Sequence, residues 1–123
     1  MVEKSASQDR RRTYRFDKVF QVEVSSPIFG SYICVARNIS AGGIFLETFD
    51  PLPLGSEVRV HFEMPDSPGE VVAVGEVKNH YYLNYQQDGA PRSLMGMGVR
   101  FLGFEEDGAE SLAKSLHSSR ILH

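Results

Sequence analysis

Alternation of apolar and polar residues dominates the first two thirds of this chain. In residues 20–24 and again in residues 58–62, every second residue is apolar, which is the period of a strand with one buried face. Residues 32–39, 44–48 and 71–83 are rich in β-branched and aromatic residues and predict three more strands. A last strand is predicted over residues 94–101, and Gly75 predicts a bulge or bend inside the long fifth strand.

Turn-forming residues separate these segments at nearly regular spacing. Serine, proline, glycine and aspartate cluster at residues 25–31, 40–43, 50–55 and 64–69, and residues 84–93 have the composition of a polar loop. Six short strands with such connections are typical of a small antiparallel barrel. We therefore predict an all-β fold, a six-stranded antiparallel β-barrel.

The end of the chain has a different period. Asp107 and Glu110 have the spacing of a capping box, which predicts a helix from Asp107 to about Ser118. This helix is expected to cover an opening or a face of the sheet. Its predicted apolar positions are Ala109, Leu112, Ala113 and Leu116.

Charge is distributed unevenly along the chain. The formal net charge is −3, yet four of the 13 basic residues fall between positions 10 and 15. A local cluster on an acidic chain favours a small anion over a nucleic-acid polymer as ligand. Residues 1–9 are predicted to be a flexible polar tail, residues 10–15 a loop, and residues 10–123 one domain. The clustered residues are Arg10, Arg11, Arg12 and Arg15.

The remaining composition excludes several classes. The single cysteine, Cys34, lies in an apolar run and is predicted to be a buried small side chain. No apolar stretch approaches the ~20 residues that span a bilayer, so we expect a cytoplasmic protein without membrane insertion. The four histidines have no metal-ligand spacing, and Ser40 lacks the surroundings of a nucleophile. We predict no metal, no cofactor and no catalytic activity.

Two short motifs carry candidate binding chemistry. Arg11 and Arg15 form an R-x-x-x-R pair, and guanidinium groups fork onto phosphate oxygens, pair with guanine and stack on bases. The alternative is a solvated basic tail. Residues 38–43 read N-x-S-x-x-G, and Asn38 and Ser40 would point to the same side of an extended strand. Two glycines would allow positive φ and close approach of a ligand. The alternative there is a plain hairpin turn.

The two motifs in this order, on an all-β pattern, resemble the PilZ domain family. Residues 98–101, Gly-Val-Arg-Phe, are similar to the family's late-strand motif. The resemblance covers nearly the whole chain and implies a six-stranded barrel that binds the bacterial second messenger cyclic di-GMP. It implies that Arg11 and Arg15 hold phosphates and contact guanine. Asn38, Ser40 and Gly43 would read the guanine edge.

Finer expectations follow from the resemblance and from the residues themselves. A basic residue at Arg10 is compatible with a second, stacked nucleotide at the same site, and Arg12 is expected to be a bystander. Arg100 reaches either the ligand or a surface salt bridge. The ligand would order the arginine loop, and this ordering would relay the ligand concentration to an unidentified partner protein. The tyrosines at 81, 82 and 85 are expected to pack on the sheet rather than form an interaction surface.

Two alternatives to this function remain open from the sequence. One is a PilZ-like interaction module that binds a protein without nucleotide. The other is a small barrel that binds RNA or single-stranded DNA, which needs exposed aromatic residues on a basic groove. The net charge of −3 counts against this second alternative.

Overall fold

Six antiparallel strands close into a barrel, and one helix follows them. The computed structural model describes residues 19–64 and 69–122, of which residues 118–122 are described by their backbone alone. Around the barrel the strands follow the order β1–β2–β3–β6–β5–β4, and β4 closes on β1. The elements are β1 (Phe20–Ser26), β2 (Gly30–Ile39), β3 (Gly43–Glu47), β4 (Glu57–Glu63), β5 (Glu70–Gln87), β6 (Ala90–Phe104) and α1 (Gly108–Leu122). The predicted six-stranded barrel with a C-terminal helix is confirmed.

The core lies inside the barrel and is made by alternate residues of every strand. Val22 and Val24 on β1 and Val58 and Val60 on β4 are each at most 1% exposed, which confirms the alternation in both segments. Phe20 packs against the same cluster from the barrel rim. Period-2 patterning therefore identified the inward faces of both strands correctly.

The helix covers one end of this core, but only half of its predicted apolar stripe is buried. Leu112 and Leu116 are buried and belong to the core cluster. Ala109 and Ala113 are exposed, so their assignment to the buried face is wrong. The small residues Gly108 and Ser115 occupy that face. A Cβ atom at Gly108 would lie 3.5 Å from Phe104 and Val71, which is ordinary contact, so this position faces the barrel without being overpacked.

The β5–β6 hairpin is longer than the sequence predicted. Residues 84–93 form no polar loop, because β5 continues to Gln87 and β6 begins at Ala90. Asp88 and Gly89 connect them with φ of 53° and 79°, as a type I′ turn requires. Residues 78–87 are all exposed, so polar side chains occupy a strand without a buried face. That composition explains why this stretch resembled a loop.

Irregular pairing bends the long strands of the barrel. The register between β5 and β6 shifts between Val74 and Gly75, which confirms the irregularity predicted at Gly75. A second shift lies between Val77 and Asn79, where Lys78 is the additional residue. Such bulges increase strand twist and let a long hairpin leave the barrel. No helix in the described part of the chain has the length and apolar character needed to cross a membrane.

Candidate ligand-binding site

A β-bulge in β2 determines where the asparagine of the second motif points. Ala36 pairs with Leu46, whereas Asn38 pairs with Phe45, so Arg37 is an additional residue in the strand. Ala36 is fully buried, and strict alternation would direct Asn38 inward as well. The additional residue reverses the phase, so that Ile39 is buried and Asn38 lies on the outer face.

An ion pair on the outer surface holds this bulge. The Arg37 Nε donates to Glu47 Oε1 across 2.9 Å, between β2 and the end of β3. Both side chains are partly exposed, so the pair itself contributes modestly to stability. Its geometric effect is to hold the additional residue of the bulge against the end of β3.

The turn that follows β2 is closed by its own hydrogen bonds. The Ser40 N–H donates to the Gly43 carbonyl at 2.9 Å, and the Gly42 N–H donates to Ser40 Oγ at 3.3 Å. The Phe101 N–H donates to the Gly42 carbonyl at 2.9 Å and attaches the turn to β6. Ser40 lies outside the strand, so the turn and not strand alternation positions its hydroxyl. That hydroxyl retains its O–H as a donor for a ligand.

The two glycines of this turn serve purposes other than the predicted one. Gly42 and Gly43 are absent from the glycines with positive φ, so the expectation of left-handed backbone is wrong. A Cβ atom at Gly43 would lie 2.5 Å from the Val99 carbonyl oxygen, so this glycine permits close approach of β3 to β6. A Cβ atom at Gly42 would have nothing within 4 Å. Gly42 therefore leaves backbone open to an approaching molecule.

An aromatic wall lies beside Asn38 on the same face. Asn38, Phe45 and Gly98 are successive partners across β2, β3 and β6. The rings of Phe45 and Tyr81 meet edge to face, with centroids 5.1 Å apart. A Cβ atom at Gly98 would lie 3.1 Å from Tyr81 Cε2, so the missing side chain makes room for the ring. Flat apolar surface next to an amide suits a planar heterocycle.

The sequence alone did not predict this wall. Phe45 was not considered, and the tyrosines at 81, 82 and 85 were expected to pack on the sheet. Tyr81 does contact Phe45, but it remains 46% exposed, and Tyr82 is 65% exposed. The alternation Gly96-x-Gly98 was the available signal, because two glycines on one face of a strand leave space for neighbouring rings.

Besides Arg37, a second cation of the described chain lies next to the motif. Arg100 pairs across strands with Gly43 on one side and with Glu76 on the other, and its side chain is exposed. Cross-strand neighbours have Cβ atoms about 5 Å apart, so the guanidinium is within reach of the turn. Glu76 offers an opposite charge at the same distance. Arg100 is thus placed for either of its two predicted roles.

The predicted arginines Arg10, Arg11 and Arg15 lie outside the described residues. The structure therefore brings together the second motif alone, with Asn38, Ser40 and Gly43 within six positions of one β2–β3 connection. Among the described residues, no group of three or more histidine, cysteine or acidic side chains could hold a metal ion.

Behind the site, the barrel interior is strongly desolvated. Cys34 is 3% exposed, which confirms the prediction that it is a buried small side chain, and this burial raises the pKa of its thiol. Burial also raises the pKa of the Tyr32 hydroxyl, with a further contribution from the neighbouring Cys34. Both groups stay protonated in the folded protein, which suits a structural role inside the barrel.

A family model for the PilZ domain matches residues 9–118. The chain belongs to the PilZ domain family. The match includes the segment that carries the arginine cluster as well as the described barrel. Among curated proteins none matches the chain.

Solved structures of PilZ proteins share this fold. The PilZ domain of YcgR from Escherichia coli, solved with c-di-GMP, has 14% sequence identity and a TM-score of 0.70 over 93% of this chain and 95% of that chain. The Bacillus subtilis inhibitor of motility MotI/DgrA has 17% identity and a TM-score of 0.71, covering 94% of this chain and 53% of that chain. The K. pneumonia MrkH–c-di-GMP complex has 21% identity and a TM-score of 0.70, covering 93% and 53%. The chain thus spans about half the length of MotI/DgrA and MrkH.

Proposed function

We propose that this protein is a non-enzymatic receptor for cyclic di-GMP. The observation that carries the proposal is the outward turn of Asn38 by the Arg37 bulge, beside a turn whose Gly42 leaves its backbone open. An amide and a hydroxyl offer donors and acceptors to a base edge, and the Phe45–Tyr81 wall offers a face for stacking. Membership of the PilZ family and its neighbours solved with c-di-GMP support this choice of ligand.

The phosphates are assigned to arginines. Arg11 and Arg15 hold the ligand, and Arg10 allows a second, stacked nucleotide. Arg100 adds a cation from the barrel itself, opposite Gly43. The four arginines of residues 10–15 repel one another when free, and a dianionic ligand neutralises them and orders the segment on the barrel. The altered surface then binds a partner protein in the cytoplasm.

Isothermal titration with cyclic di-GMP tests the assignment. Arg11→Ala and Arg15→Ala each lose charge-assisted hydrogen bonds, and we expect about 2 kcal/mol or more of binding free energy to be lost, roughly thirtyfold in affinity. Arg12→Ala is the matched control from the same segment and should bind as the wild type does. Arg10→Ala should halve a stoichiometry of two ligands per chain.

The alternatives give different titrations. Absence of heat with the wild-type protein would favour an interaction module that binds no nucleotide. Unchanged affinity in both Arg11→Ala and Arg15→Ala, with binding intact, would contradict their assigned roles. A salt-dependent gel shift with RNA or single-stranded DNA would instead indicate a polymer-binding barrel. NMR shifts confined to residues 38–43 on addition of cyclic di-GMP would support the second motif as the contact.

A further inference from the structure

The hairpin of β5 and β6 leaves the barrel with one open strand edge. β4 pairs with β5 only over residues 70–76 of β5, and the Gly55 N–H donates to the Val77 carbonyl at the end of that contact. From residue 79 to residue 87, the described part of the chain supplies no strand partner on this side of β5. An unpaired edge of this length is a template for another strand.

The turn geometry identifies which backbone groups face that edge. Gln87 and Ala90 flank a two-residue type I′ turn and therefore exchange hydrogen bonds with each other. Alternation then directs the N–H and C=O groups of residues 80, 82, 84 and 86 away from β6. One observed hydrogen bond agrees with this alternation. The Thr48 N–H donates to the Met95 carbonyl at 3.0 Å, so Met95, which lies opposite Tyr82, directs its carbonyl away from β5.

The two edges of the hairpin differ in how they are protected. On the β6 side, β3 covers residues 96–100, and Pro91 removes an N–H from the part beyond β3. On the β5 side, residues 79–87 contain no proline, lysine, arginine, aspartate or glutamate. Natural sheets place such residues on edges that must stay unpaired. Their absence from the β5 edge indicates that this edge has a partner.

We propose that the β5 edge binds the β5 edge of a second copy of this chain, antiparallel and in a register centred on Leu83. In this register Leu83 faces its own counterpart, and Tyr81 faces Tyr85 of the second copy. Lys78 of each copy comes near Asp88 of the other, so the only charges bounding the segment are complementary. The backbone groups of the four edge-facing residues form about eight hydrogen bonds.

The arrangement has a two-fold axis through the Leu83 pair, as homodimers commonly do. Leu83 is 56% exposed in the single chain, and this contact covers it. Because the backbone groups of Leu83 face β6, the pair across the axis is a non-hydrogen-bonded pair with Cα atoms about 4.5 Å apart. Tyr81 and Tyr85 flank it on the same face, so the dimer joins three apolar side chains from each copy.

Analytical ultracentrifugation of the full chain tests the interface. The wild type should form a concentration-dependent dimer. Asn84→Pro removes an edge-facing N–H without removing a β5–β6 hydrogen bond, so the hairpin should fold while the dimer dissociation constant rises about a hundredfold. Asn84→Thr is the matched control, because it keeps the N–H and should dimerise as the wild type does. Circular dichroism confirms that both variants are folded.

Cysteine cross-linking tests the register. Leu83→Cys should form a disulfide-linked dimer on mild oxidation, since a Cα separation of about 4.5 Å is within disulfide geometry. Tyr81→Cys and Tyr85→Cys should each stay unlinked alone and cross-link when mixed. The native Cys34 is buried and should not contribute.

Three results would overturn the proposal. The first is a wild-type protein that stays monomeric up to about 1 mM, far above a specific dimer's dissociation constant. The second is equal dimerisation of Asn84→Pro and Asn84→Thr, which would place the interface elsewhere. The third is failure of Leu83→Cys to cross-link in a dimer, which would exclude this register.

Discussion

Of the two adjacent glycines of the β2–β3 turn, only one should lose stability when it is replaced by alanine. In Gly43→Ala the new Cβ would lie 2.5 Å from the Val99 carbonyl oxygen, a distance that real Cβ atoms do not adopt. The obstacle is backbone, and Val99 is held in the ladder between β3 and β5. No flexible side chain can move aside, so β3 and β6 must separate locally.

The free-energy cost of that separation can be estimated from substitutions that overpack a protein core. Introducing a methyl group into a close-packed site typically costs 1–3 kcal/mol, and a rigid backbone obstacle favours the upper half, about 2–3 kcal/mol. Moving β3 also strains the hydrogen bond from the Phe101 N–H to the Gly42 carbonyl. For a domain of this size the melting temperature should fall by roughly 5–15 °C.

Gly42→Ala is the matched control. Its Cβ meets nothing within 4 Å, and its φ is not in the left-handed region, so the free energy of unfolding should change by about 0.5 kcal/mol or less. Urea denaturation followed by circular dichroism measures both variants against the wild type. Equal stability of the two variants would refute the close-approach explanation of Gly43.

The pair also separates folding from binding. Because Gly42→Ala keeps the fold, any loss of cyclic di-GMP affinity in that variant reports on a ligand approaching the backbone of the turn. Gly43→Ala gives no such information, since loss of affinity there would accompany a displaced strand. The second glycine of the motif is therefore a poor choice for testing ligand contact.

Two further predictions concern the interior of the barrel. Leu112→Ala removes a side chain that is 2% exposed and should cost about 2–4 kcal/mol of unfolding free energy in urea, whereas Ala113→Ser on the exposed face should cost about 0.5 kcal/mol or less; similar losses in both would contradict the helix orientation. The Tyr32 hydroxyl has its pKa raised by burial above the unfolded value of 10.0, so its stabilising effect is complete below about pH 9 and is lost as the pH rises further. Between pH 8 and pH 11 the free energy of unfolding should fall more steeply for the wild type than for Tyr32→Phe. Parallel curves for the two proteins would contradict a raised pKa of Tyr32.

Much of the barrel was predictable because its strands have one solvent-exposed face and one buried face. Residues 20–24 and 58–62 alternate cleanly, and the structure buries their apolar positions. The outer half of the β5–β6 hairpin has no buried face, so the apolar residues there do not alternate and could not indicate a strand. The pair Asp88-Gly89 was a type I′ turn signal, but the surrounding polar composition outweighed it. In the helix, small residues at 108 and 115 are buried although hydropathy does not distinguish them.

For the candidate site, the sequence predicts residues but not their geometry. The motif placed Asn38 and Ser40 near one turn, but no property of Arg37 in the sequence announces a bulge. The same holds for the Phe45–Tyr81 contact, which depends on the register of three strands. Arg10, Arg11 and Arg15 remain sequence predictions, because they precede the first described residue.

The bulge at Arg37 makes the outer face of β2 depend on the number of residues and not only on their identity. Deleting Arg37 would leave every letter of N-x-S-x-x-G in place and would put Asn38 directly after the inward-facing Ala36, so strand alternation would keep Asn38 on the outer face without a bulge. A relative with the complete motif but one residue fewer before it would thus present the same amide without the neighbouring guanidinium, on a strand with less local twist. A single-codon deletion of Arg37 should therefore remove the ion pair with Glu47 while the motif keeps its outward asparagine.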